Sequence, residues 1–237
     1  MYSLGRVVST IDSRDRDLRQ LIYYKDSNIR KRLWNFPKPA LDQGDHPWCG
    51  GFSMAHYGIC LPFESNYTFE AGKAFYDRCK EYDLQPGMQN GTSIRSIANV
   101  GKTLGMWKSY AFANNVEDIY TYILNYGPVI MGTNWYGNMF LPDSNYIIHC
   151  TGILAGGHAW VAIGADLDEE YVDGITTWGP DFGDNGRFRI PMKEFKKLFS
   201  EQGEAIAAEE VATVDPTVSI GGCVNTRIGR AIRRLMQ

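Results

Sequence analysis

The stretch Asp42-Gln43-Gly44-Asp45-His46-Pro47-Trp48-Cys49-Gly50-Gly51-Phe52-Ser53 decides how this chain is read. A cysteine ends a polar loop and opens a run in which Phe52, Ala55 and Ile59 recur on one helical face. The spacing predicts a helix that starts at Cys49. The positive end of that helix favours a thiolate, which is the nucleophilic form of cysteine. Upstream of it, the Gln43 carboxamide is placed to donate to an oxyanion, beside the backbone N–H of Cys49.

Two later stretches complete a chemistry. Gly156-Gly157-His158-Ala159-Trp160-Val161-Ala162-Ile163-Gly164 brings a histidine into a strand after two glycines, which allow close backbone approach. A nucleophilic cysteine needs such a base, held rigidly and able to shuttle its proton. The run from Thr176 to Ile190 reads as strand, turn and strand, with Gly183-Asp184-Asn185-Gly186 as the turn. The other histidines have blander readings: His46 at a cleft rim, His56 and His149 as structural or surface groups.

Outward from these motifs the chain changes texture. Residues 1–40 are polar and irregular. Residues 45–126 read as mostly helical. Ser65 or Asn66 is expected to cap a helix bearing Ala71, Phe75 and Cys79. Thr92 is expected to cap another with Ile94, Ile97 and Leu104, and Asn115 a fourth with acids in its first turn. Strands are expected at Val129–Thr133, Tyr146–Thr151, Ala159–Ala165, Gly174–Trp178, Arg187–Ile190 and Ile206–Val214, with a short helix at Lys193–Phe199. Helices first and strands second predict an α+β fold in two lobes. The expected organisation is an N-terminal extension over 1–40 and a domain over 41–215. Its helical lobe covers about 41–126 and its β lobe about 127–215. A basic tail over 216–237 carries Arg227, Arg230, Arg233 and Arg234 and is expected either to be a solvated helix or to dock on a partner or anionic surface.

Composition excludes several classes. The chain has 237 residues, 44% hydrophobic and 22% charged, with a formal net charge of -3. This suits a folded domain with a sizeable core and gives no global case for nucleic acid. No run approaches the ~20 apolar residues of a membrane span, and the first 20 residues lack a signal-peptide core. Five cysteines without close pairing do not resemble a disulfide framework. The expected compartment is therefore reducing and cytoplasmic. No CxxC or HExxH pattern predicts a metal, and no cofactor is expected.

In this order the three motifs resemble the papain family of cysteine peptidases. The resemblance rests on Gln43, Cys49 and Phe52-Ser53, then Gly156-Gly157-His158-Ala159, then Trp178-Gly179 and Gly183-Asp184-Asn185-Gly186. Weaker likenesses are Asn90-Gly91-Thr92-Ser93 and Tyr126-Gly127-Pro128-Val129. The likeness runs over roughly residues 35–214. It implies a helical N-terminal lobe and an antiparallel, barrel-like β lobe with the active site between them. It further implies hydrolysis of a polypeptide substrate by Cys49 as nucleophile, His158 as general base and acid, and Gln43 as oxyanion donor. Asn90, Gly91, Gly157 and Trp178 are expected to line the substrate.

The chain also departs from that family. His46 stands where a disulfide cysteine is common, and Gly50 where an aromatic residue is. The interval from Cys49 to His158 is shorter than the roughly 130–150 residues usual there. Thr176 stands where an asparagine orients the histidine, and its hydroxyl is expected to take that role. No inhibitory propeptide is recognised before the motif, and these traits look more like short microbial or viral members. The alternatives are a non-catalytic papain-like binding protein, and an amidase or transglutaminase-like acyl transferase using the same pair.

Overall fold

The computed structural model describes residues 2–37, 39–83 and 90–210. Its elements, in chain order, are β1 (Arg6–Val7), β2 (Lys31–Leu33), α1 (Cys49–Ile59), α2 (Phe69–Cys79), β3 (Thr92–Ser93), α3 (Ile94–Thr103), β4 (Trp107–Phe112), α4 (Val116–Asn125), β5 (Val129–Tyr136), β6 (Leu154–Asp166), β7 (Tyr171–Ile175), β8 (Arg187–Pro191), α5 (Met192–Ser200) and β9 (Glu204–Glu210). The basic tail, Cys223 and the end of the last expected strand lie outside the described residues.

A seven-stranded sheet has the order β4-β9-β5-β6-β7-β8, with β2 also paired to β6. Every pairing in it is antiparallel. Helices α1 and α3 pack against one region of this sheet, and α2 packs on α1 and α3. The core between them holds Met54, Ala55, Phe75, Ile94 and Ile97 from the helices and Val161, Ile163 and Ile206 from the strands. A second core, under α4 and α5, is built around Trp135, Trp160, Phe188 and Phe195. Each such side chain taken fully out of water contributes about 1.5–3 kcal/mol.

Helix α1 is buried along its whole length, and apart from Ser53, His56 and Tyr57 its sequence is apolar all round. Its approach to α2 is close enough that a Cβ at Gly51 would lie 2.2 Å from the Gly72 carbonyl oxygen. That contact fixes the helix, and with it the position of Cys49 at its first turn.

Several expected boundaries move. Thr68 precedes α2 in place of Ser65 or Asn66, and Ser93 caps α3 through its side chain in place of Thr92. Asn115 caps α4 as expected, accepting from the Asp118 N–H. Residues 146–151 form a loop with a single bridge from Ile147 to Arg189, and not a strand. Their backbone is held instead by Asp143 and by the Arg189 carbonyl.

Two larger differences bear on the organisation. The strand β4 arises within the stretch read as helical and closes the sheet against β9. Its alternation of buried Trp107 and Ala111 with exposed Lys108 is a strand pattern. Residues 2–37 are not an appended extension. β2 pairs with β6, β1 pairs with β3, and Leu18 and Leu21 are buried in the core. Among the described residues no helix is long and apolar enough to cross a membrane.

Candidate active site

Cys49 is the first residue of α1, and its sulfur is reached by the backbone N–H groups of Cys49, Gly50, Ala159 and Gly5. The Ala159 contact brings β6 to the head of the helix, so the strand that carries His158 lies against the nucleophile's position. Cys49, His158, Gln43, Thr176 and Thr177 are all 0% exposed.

His158 sits opposite Thr133 in the β5–β6 ladder. Trp178 stacks on its ring at 4.1 Å between centroids, and Trp135 meets it edge-on at 4.9 Å. The Nε2 atom lies 3.2 Å from Thr176 Oγ1. This leaves Nδ1 without a hydrogen-bond partner among the described residues. Burial pushes the Cys49 thiol up to about 11 and the His158 imidazole down to about 3. In this closed form both groups are neutral at pH 7.

Gln43 is clamped at both ends. Its backbone N–H donates to the Thr177 carbonyl at 2.9 Å, and its Oε1 accepts from the Thr177 hydroxyl. The carboxamide is thereby turned so that Nε2 donates to two carbonyls, those of His46 at 2.5 Å and Ser3 at 3.1 Å. The Trp178 indole N–H donates to the same Ser3 oxygen at 3.0 Å. Gly91 adopts φ 86°, open to glycine without strain, while Asn90 is exposed. His46 stacks on Trp48, His149 pairs with Glu194 at 3.0 Å, and His56 accepts from the Leu41 N–H at 2.8 Å. None of the three is placed with Cys49 by any of these contacts. Among the described residues no cluster of acids, histidines and cysteines could hold a metal ion.

The chain's own N-terminal segment lies in this site, which the sequence did not foretell. Tyr2 stacks on Trp178 at 4.9 Å, and Ser3 O occupies the Gln43 and Trp178 donors. Gly5 donates to the Gly157 carbonyl at 3.1 Å and accepts from the Thr92 N–H at 2.8 Å. Arg6 and Val7 then continue as β1 parallel to β3. Gly5 passes so close that a Cβ there would lie 2.3 Å from the Pro47 oxygen. The Cys49 sulfur thus faces a peptide N–H of this segment.

Two further residues belong to the site and were not singled out by sequence. Thr177 orients Gln43, and its neighbour Thr176 had drawn the attention. Glu204, on the far strand β9, holds Arg6 at 2.6 Å. Its only sequence signal is an acid at the start of the strand Glu204–Glu210.

Comparison with known proteins gives the site its context. No family model matches the chain. In sequence it is 28% identical over 149 residues to cathepsin B-like cysteine proteinase 3 of Ostertagia ostertagi, covering 59% of this chain and 83% of that one. It is 31% identical over 84 residues to cathepsin B-like cysteine proteinase 6 of Caenorhabditis elegans, covering 35% of this chain but only 22% of the relative's length. In structure it is similar to xylellain, a cysteine protease from Xylella fastidiosa. The TM-score is 0.68 at 16% identity, over 88% of this chain and 96% of that one. It is also similar to procathepsin B S9 of Trypanosoma congolense, with a TM-score of 0.62 at 14% identity, over 87% and 86% of the two chains. The likenesses in fold and in sequence point the same way: the chain has the papain-like fold and is similar in sequence to cathepsin B-like cysteine proteinases.

Proposed function

We propose that the chain hydrolyses peptide bonds in polypeptides through Cys49. One observation carries this reading beyond its relatives. An extended peptide, Tyr2–Val7, is laid between Gly157, Thr92, Gln43 and Trp178, with the Cys49 sulfur beneath it. The groove that holds this segment has the backbone partners and the carbonyl-binding amide that a peptide substrate needs.

In the proposed reaction His158 takes the thiol proton at Nδ1, and the thiolate attacks the scissile carbonyl carbon. The carbonyl oxygen gains negative charge and is held by Gln43 Nε2 and the Cys49 N–H. His158 returns the proton to the departing amine, leaving a thioester on Cys49. Water, deprotonated by His158, then hydrolyses the thioester and restores the thiol. Thr176 supports the imidazole from behind, and Trp178 shields that contact from water. The Cys49, Cys60, Cys79 and Cys150 thiols are free, which supports placing the protein in a reducing compartment.

The test is labelling of Cys49 by electrophilic peptides, together with a peptide cleavage screen. Labelling and cleavage should both disappear in Cys49→Ala. A second reading, a papain-like binding protein, draws on the neutral thiol and imidazole of the closed site. It requires that Cys49 stay unreactive below the ordinary thiol pKa of ~8.5 even after the N-terminal segment is loosened.

A further inference from the structure

His56 lies about two turns along α1 from Cys49, and it is 0% exposed. Its Nε2 accepts from the Leu41 N–H at 2.8 Å. A neutral imidazole that accepts at Nε2 carries its hydrogen on Nδ1. That Nδ1 is buried and has no hydrogen-bond partner among the described residues. A buried donor left unpaired costs stability, so the ring is not there for its own solvation. Phe36 meets it nearly edge-on at 5.2 Å, a packing that any flat ring would satisfy. Among the described residues, the contact that uses the polarity of this ring is the bond to Leu41. Burial pushes the imidazole down to about 3, so Nε2 stays an acceptor at neutral pH.

Leu41 begins the short strap, residues 41–43, that carries Gln43. One side of the strap is fastened to the stretch that bears Thr177 and Trp178. The Gly179 N–H donates to the Leu41 carbonyl at 3.2 Å, Asp42 bridges to Trp178, and the Gln43 N–H donates to the Thr177 carbonyl at 2.9 Å. The His56 bond fastens the other side to α1, the helix that places Cys49. The two oxyanion donors, the Cys49 N–H and Gln43 Nε2, therefore sit on separate pieces of backbone. One oxygen reaches both only if their spacing holds to a fraction of an ångström. A side chain of the helix that grips the strap's backbone sets that spacing.

We propose that His56 is a positioning residue for acyl transfer. It holds the strap at a fixed distance from the head of α1, so that Gln43 Nε2 and the Cys49 N–H converge on one carbonyl oxygen. The proposal rests on the peptidase reading, with Gln43 as oxyanion donor, and adds the device that registers this donor against the nucleophile. No contact of the His56 ring reaches the sulfur or the groove. Its effect on turnover passes through Gln43 and vanishes where Gln43 is absent.

The experiment uses the full chain, with fluorescein-labelled casein as an unfolded polypeptide substrate and iodoacetamide as a second probe of Cys49. Iodoacetamide is attacked at a saturated carbon and forms no oxyanion, so it reads the thiol and the imidazole of His158 alone. His56→Phe keeps a flat buried ring and removes the acceptor. Its kcat on casein should fall about 10-fold, short of the loss on the order of 10²–10³ expected when the donor itself is removed. KM and the rate of iodoacetamide alkylation should stay at their wild-type values. In a Gln43→Ala background, adding His56→Phe should lower kcat no further. His56→Gln, whose carboxamide oxygen reaches as far as Nε2, should recover most of the lost kcat. An unchanged kcat in a folded His56→Phe protein overturns the proposal. So does a loss that persists in the Gln43→Ala background, or one that iodoacetamide alkylation shares. Where His56→Phe does not fold, His56→Gln and His56→Asn decide. The asparagine oxygen stops near the place of Nδ1, so its kcat should be the lower, and equal values overturn the proposal. Gln43→Ala alone separates the two layers. If it loses turnover while His56→Phe does not, only the His56 assignment is lost. If Gln43→Ala keeps wild-type kcat, or the wild type leaves casein intact, the underlying reading fails and the His56 assignment fails with it.

Discussion

His158 Nε2 and Thr176 Oγ1 stand 3.2 Å apart, both fully buried, with the Trp178 ring laid over the imidazole. The hydroxyl is a short, rotatable acceptor. Thr176→Val keeps the shape but removes the acceptor. Turnover is expected to fall about 3- to 10-fold, the worth of one neutral hydrogen bond. Thr176→Asn supplies a carbonyl acceptor and should recover turnover relative to valine. Steady-state kinetics on any cleaved peptide checks this, and equal kcat in the threonine and valine proteins would remove Thr176 from the orienting role.

The Gln43 amide donates to a peptide carbonyl in the closed structure and is turned toward it by Thr177. Gln43→Ala is expected to lower kcat by on the order of 10²–10³, the loss typical of one oxyanion donor. KM should change little, because the bond strengthens as charge develops on the oxygen. Thr177→Val should lower kcat in the same direction but less, since the amide remains and only its orientation loosens. A rise in KM with kcat preserved in Gln43→Ala would instead make Gln43 a ground-state binding group.

The four described cysteines differ in what they touch. Cys49 heads α1 in the cleft, while Cys60 and Cys79 are buried in the packing of the helical core. Cys49→Ala should abolish labelling by peptide electrophiles and retain the fold by circular dichroism. Cys60→Ala and Cys79→Ala should still be labelled and should lose about 1 kcal/mol of stability in chemical denaturation. Labelling that survives in Cys49→Ala would place the nucleophile elsewhere.

Burial holds two histidines neutral, with His56 and His158 both pushed down to about 3 from the ordinary 6.5. In the unfolded chain they protonate as pH falls through 6.5, while in the folded chain they do not until about 3. The unfolded state therefore binds more protons across this window. Stability should be greatest above pH 6.5 and decline as pH falls toward 3, at up to ~1.4 kcal/mol per pH unit for each histidine. The Cys49 thiol acts at the other end. Raised from 9.0 to about 11, it subtracts stability as pH rises between those values. Urea midpoints at pH 7 and pH 4.5 test the acid limb, and equal midpoints would contradict it.

Cys49 at a helix start, His158 on a strand (though inside β6 and not at its head) and Asn115 at a cap were determined by sequence alone, because each depends on residues within a turn or two of itself. Apolar spacing after Cys49, alternation through Trp160 and the glycine-rich turn at 183–186 are local signals, and their order along the chain was enough for the fold class. The tertiary structure decided the rest. Trp107–Phe112 became a strand because β9 offered it an edge. Thr177 became the holder of Gln43 because two loops 134 positions apart were pinned together. Arg6 and Glu204, 198 positions apart, met across the sheet. Neither residue's neighbours carry a trace of the other. Pairs at such separation are selected by packing and by the cost of leaving a buried charge alone, and these operate only once the chain has closed on itself.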